Sequence, residues 1–131
     1  MKRLLALLVA SLALGVADAA ATEVIITATA IVPPVLRVPA GERVNFVNRT
    51  QRNVHVEFGV DPRQHEVVQI PLTGPISAVF HRPGTHSYAV HVYGGGQMTT
   101  LLGRVEVTDN PEHPWEGTTC PVVVKGACLE P

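Results

Sequence analysis

The chain has 131 residues, a formal charge of −1 at neutral pH, and 46% hydrophobic residues. It carries no basic stripe, which argues against nucleic acid as a partner, and no long charge run that would mark an electrostatic docking face. It is long enough for one domain with one core and little more.

Lys2 and Arg3 precede an apolar run from Leu4 to Val16, and Ala17-Asp18-Ala19 and Ala19-Ala20-Ala21 both fit a small-residue cleavage site. Residues 1–21 therefore read as a signal peptide, too short for a comfortable membrane span. An uncleaved anchor is the alternative. Export implies an oxidising compartment, and the Ala-rich cleavage site suggests a bacterial periplasm, so the expected location is periplasmic or secreted. No membrane contact is expected after cleavage.

Strands are predicted in chain order over Val24 to Ala30, Val35 to Val38, Arg43 to Asn48, Val54 to Phe58, Glu66 to Ile70, Ile76 to Phe80, Thr85 to Val92 and Leu101 to Val107. Turn signals separate them: Pro39-Ala40-Gly41-Glu42, Asp61-Pro62-Arg63-Gln64 and the glycine run Gly94-Gly95-Gly96. No stretch after the leader sustains a helical period. Eleven prolines and eleven glycines suit such a loop-rich chain. The class is all-β, a sandwich or barrel of short strands. The domain is expected over 22–109 and a Pro-punctuated extension over 110–131. Trp115, the only tryptophan, is expected to anchor that extension.

Cys120 and Cys128 are the only cysteines. With export implied and no histidine between them, a disulfide closing the extension is favoured over a dithiolate metal site.

Two segments look like halves of one metal site. The first runs from Gly41 through Val44-Asn45-Phe46-Val47-Asn48 to His55. The second runs from Pro83-Gly84 through Tyr88 and His91 to Met98 and Gly103-Arg104-Val105-Glu106-Val107. Over roughly Val24 to Val107 this pattern resembles the cupredoxin family, the plastocyanin-like Greek-key sandwiches. The resemblance implies a Greek-key β-sandwich, copper as cofactor, and either copper handling or electron transfer. It implies a periplasmic redox or copper-trafficking protein as partner, and no enzymatic activity. In that family a blue copper site takes one histidine from mid-chain, and a cysteine, a second histidine and often a methionine from the loop before the last strand.

This chain departs from the pattern in three ways. Counting from Gly84 puts Val90 where the family has its cysteine, so a blue Cu–thiolate centre is excluded. The second histidine would fall near Tyr93, whereas the nearest is His91. Alternation puts Val54, Val56 and Phe58 on one face, with His55 and Glu57 on the other, and likewise sets His91 opposite Tyr88, Val90 and Val92. A bulge would turn either histidine inward. The outer face of the same sheet is the other place where they could meet.

His55, His91 and Met98 are the metal candidates, with His86 as a fourth. Two imidazoles and a thioether suit copper, and the thioether favours Cu(I). The expected function is an exported copper-binding protein without a blue-copper thiolate. The competing reading is a metal-free binding or assembly module, with His55 and His91 as surface residues. His65, His81 and His113 read as solvated loop histidines. Ser77 and Ser87 lack any nucleophile-elbow context.

Overall fold

The computed structural model describes residues 22–59, 66–70, 74–117 and 119–129. The leader and His65 lie outside the described residues. Among them, no helix is long and apolar enough to cross a membrane.

Among the described residues, eleven strands form two sheets. The first sheet contains β1 (Thr22–Ile26), β2 (Ile31–Val32), β4 (Arg43–Asn48), β7 (Ile76–Phe80), β10 (Val122–Val124) and β11 (Ala127–Leu129). Its order is β11-β10-β7-β4-β1-β2. The second contains β3 (Val35–Pro39), β5 (Asn53–Phe58), β6 (Glu66–Ile70), β8 (Gly84–Gly94) and β9 (Gln97–Thr108), in the order β3-β9-β8-β5-β6. β1 with β4 and β3 with β9 pair parallel, and the other ladders are antiparallel.

Strict alternation builds the sandwich. Val44 and Phe46 on β4, Ile76, Ala78 and Phe80 on β7, and Val54, Val56 and Phe58 on β5 are all buried. Each side chain between them stays half exposed, as the two-residue period of a strand requires. Phe46 meets Phe58 and Tyr88 edge to face at 5.6 and 5.3 Å, a favoured geometry for aromatic quadrupoles. Gly103 lies opposite Tyr88 across the β8–β9 ladder. A Cβ there would come within 2.4 Å of the tyrosine ring, so only glycine lets that ring lie flat across β9.

The structure differs from the sequence reading in three places. The strand expected over Val24 to Ala30 ends at Ile26, and a short strand at Ile31–Val32 turns back on it. β8 and β9 continue past Val92 and begin before Leu101, pairing up to Gly94 opposite Gln97. Only Gly95 and Gly96 turn the chain, both at positive φ (62° and 75°), as a two-residue type I′ hairpin demands. Met98 is therefore on a strand rather than in a loop. The C-terminal extension is also no mere appendage. Its β10 pairs with β7, β11 pairs with β10, and Cys120–Cys128 is a disulfide (S–S 2.05 Å) at the sheet edge. Val122, Val124 and Leu129 join the core.

Candidate metal centre

β5 and β8 are central strands of the second sheet, and their ladder runs unbroken from Asn53 opposite Tyr93 to Phe58 opposite Tyr88. There is no bulge, so neither histidine turns inward. His55 instead falls directly opposite His91. Both lie on the outer face, because Val54, Val56, Val90 and Val92 are almost fully buried on the inner one. Directly opposed residues of an antiparallel pair hold their Cβ atoms about 4.5–5.5 Å apart. Strand register alone thus places the two histidine positions side by side on this face.

The neighbours on that face are polar. His91 Nε2 lies 2.8 Å from Glu57 Oε2, and its Nδ1 lies 3.1 Å from Thr100 Oγ1. The His55 ring packs edge to face against Tyr93, with centroids 5.0 Å apart. Met98 stands opposite Tyr93 on β9, 53% exposed. It is thus a diagonal neighbour of His91, and the Tyr93 position lies between it and His55.

The fourth candidate, His86, is not part of this group. It shares the inward face with Tyr88 and packs on Phe80 at 5.3 Å. Its Nε2 lies 2.7 Å from the Arg82 carbonyl. Burial pushes its pKa down, the Arg82 carbonyl opposes that shift, and the Arg82 charge adds to it.

At the tip of the sandwich two turns interlock. Asn48 is buried at the end of β4; its Oδ1 accepts from Thr50 N (2.9 Å) and Thr50 Oγ1 (2.6 Å), and its Nδ2 donates to Arg52 O (2.9 Å). This side chain takes the place of backbone ladder bonds in shaping the turn. The Arg52 stem then lies over Gly94, where a Cβ would meet its Cδ at 2.7 Å.

The chain resembles known structures in this fold. A Cu(I) form of an amicyanin variant with a methionine-to-alanine change aligns with a TM-score of 0.54. Identity is 25%, over 67% of this chain and 82% of that one. The Cu(I) form of a second such variant gives the same figures. A reduced Cu(I) form at pH 4 of a proline-to-glycine amicyanin variant aligns with a TM-score of 0.51 at 23% identity. The fold is cupredoxin-like. No family model matches the chain, and no curated protein matches it.

Copper in those cupredoxins raises the question of whether these residues suit it. At the tip of the sandwich they do not. The β8–β9 connection is a bare two-glycine turn. The cysteines are bonded to each other, so a thiolate centre does not fit. On the outer face, His55, His91 and Glu57 supply two imidazoles and a carboxylate, a donor set suited to Cu(II). Among the described residues no three His, Cys, Asp or Glu side chains are already grouped as a metal site. A two-imidazole chelate there would require His91 to give up its contact with Glu57 or Thr100.

The sequence reading missed one pair. His81, just after β7, and His113, in the extension, are not solvated loop residues. His81 Nδ1 lies 2.8 Å from His113 Nε2. No spacing rule brings together residues 32 apart in a turn and a tail.

Proposed function

We propose that this is an exported copper-handling protein that binds Cu(II) reversibly on the outer face of its second sheet, and not a blue-copper electron carrier. The observation that carries this reading is the direct opposition of His55 and His91. Bound copper would supply an exchangeable cation at the surface, accessible to a periplasmic copper-trafficking or redox protein. His55 and His91 would hold it through ring nitrogens. Glu57, already at 2.8 Å from His91, would orient that ring and offer a carboxylate. The unbroken ladder holds the two side chains in register without a closed cage. An open, exposed chelate favours exchange, whereas electron transfer needs a rigid closed site. The role includes no catalysis. Imidazolium cannot ligate, so copper is released in acid.

Isothermal titration of the mature protein with Cu(II), for the parent and for His55→Ala and His91→Ala, tests the reading. Each variant should lose most of the affinity. If either binds as tightly as the parent, the two rings do not share one ion. The metal-free binding module then becomes the better account, and it already has in its favour that no three-donor group is preformed among the described residues.

A further inference from the structure

His81 and His113 meet in a different way from His55 and His91. Their ring centroids are 5.0 Å apart with planes inclined by only 28°, while the facing nitrogens are 2.8 Å apart. The centroids exceed the nitrogen separation by roughly two ring radii, so the rings point at one another head to head. Two nitrogens chelating one ion must instead converge on a point off the line that joins them. The geometry is that of an N–H···N hydrogen bond, in which one imidazole donates and the other accepts. Such a bond exists only while at least one ring is neutral.

The bond closes the middle of a strap. At its start, Asn110 Nδ2 donates to Ala40 O at 2.9 Å and the His113 amide donates to Asn110 O at 3.0 Å. At its end, Pro121 O accepts from the His81 and Arg82 amides at 2.8 and 3.4 Å, and the disulfide and β10 follow. Between these fixed points, His113 provides the hydrogen-bonded side-chain tie. Its ring also lies on Gly41, where a Cβ would come within 2.7 Å. Gly41 has φ +89°, so turn and ring fit only because that residue is glycine. Trp115, half-buried two residues on, lines with His113, Pro83 and Asp109 a cavity of about 490 Å³ beneath the strap.

We propose that His81 and His113 form a proton-gated latch: the neutral pair ties the C-terminal strap to the turn after β7, and protonation of both rings releases it. The charged and titratable groups on the segments that carry and contact the pair are Arg82 and His86 after β7, Glu42 beside Gly41, and Asp109 and Glu112 in the extension. The Glu42 carboxylate accepts from Thr22 Oγ1. Among the described residues, no carboxylate forms an ion pair with either ring, so none of these offsets a second positive charge. Burial, and then the charge of His113, hold the His81 pKa below the ordinary imidazole value. The released or unfolded strap therefore takes up the proton more readily than the latched one. The stabilisation is complete above the ordinary histidine value, about 6.5, and is lost as pH falls from there through the lowered value. Because the strap is clamped at both ends, release should loosen residues 111–117 without unfolding either sheet.

Trp115, the only tryptophan, is a built-in reporter. Its emission and its quenching by acrylamide would be followed from pH 8 to pH 5 at constant ionic strength with EDTA present, alongside far-UV dichroism. The expected result is a single step below pH about 6.5 in which quenching rises at least twofold while the dichroism stays constant. His81→Gln and His113→Gln, which cannot take up the proton, should each abolish the step. A flat Trp115 response in the parent, or a step that survives in either glutamine variant, would overturn the latch.

Discussion

The molecule contains two histidine pairs built from the same side chains to opposite effect. His55 and His91 stand side by side on neighbouring central strands, at one rung of an unbroken ladder. His81 and His113 face one another end on, one in a turn and one in a strap. In the first pair the backbone fixes the spacing, and a third particle can be shared only if His91 gives up its contact with Glu57 or Thr100. In the second the rings are bonded directly, and the only particle between them is a proton. Direction, more than proximity, separates a chelate from a latch. The two also differ in support. Behind the first lies a wall of buried valines, 54, 56, 90 and 92. Behind the second lie a glycine, a short turn and a disulfide-closed tail.

The largest way to break the comparison is to remove the tail's staple. Cys120 and Cys128 are eight positions apart. In the chain-entropy model a loop of that size contributes about 2–3 kcal/mol. A Cys120→Ser/Cys128→Ser double variant should lose about that much stability in urea denaturation and fall by roughly 10 °C in midpoint. Copper binding at His55 and His91 should not change. A parallel loss of copper affinity would mean that the two regions are coupled and the contrast is false.

Next come the metal-facing residues. His55→Ala and His91→Ala should each weaken Cu(II) at least tenfold, about 1.4 kcal/mol, while His113→Ala leaves it unaltered. The copper-loaded parent should lack the intense visible band of a Cu–thiolate centre, since its only sulfurs are a disulfide and thioethers. A strong band in that region would contradict the site.

A smaller effect sharpens the other side. Gly41→Ala places a methyl group against the His113 ring at a backbone conformation that disfavours any side chain. The expected cost is on the order of 1 kcal/mol, with Trp115 already exposed at pH 8 and no acid step remaining. An unchanged Trp115 response would show that His113 does not depend on this seat.

How much of this was legible in the sequence differs between the same two regions. The period-two alternation of Val54, Val56 and Phe58 against His55 and Glu57 assigned the faces, because a half-buried strand has no other solution. The outer-face placement of the first pair was therefore open to inference. Its exact rung was not, since β5 and β8 are joined by no tight turn that would fix their register. The second pair was beyond reach. It depends on β10 adding to β7, a contact between residues more than forty apart, written in a tail whose strands are three residues long.

The smallest expected effect concerns Met98. It was assigned to a loop that could fold back, but it sits on β9 opposite Tyr93, two positions from Thr100, which faces His91. Diagonal neighbours across an antiparallel ladder are about 7–8 Å apart, within reach of a long side chain. Its thioether can therefore approach the His91 side of the chelate, while the Tyr93 position separates it from His55. A soft thioether adds to Cu(I) binding and little to Cu(II). Leucine fills a similar volume without a donor, and at a half-exposed site it should leave stability unchanged. Met98→Leu should thus lower Cu(I) affinity by about threefold, near 0.6 kcal/mol, and leave Cu(II) affinity as it was. Competition titrations with a Cu(I)-selective and a Cu(II)-selective chelator separate the two. Equal losses in both oxidation states would show that the methionine acts by shaping the surface around Tyr93. No loss in either would leave a chelate made of imidazole and carboxylate alone.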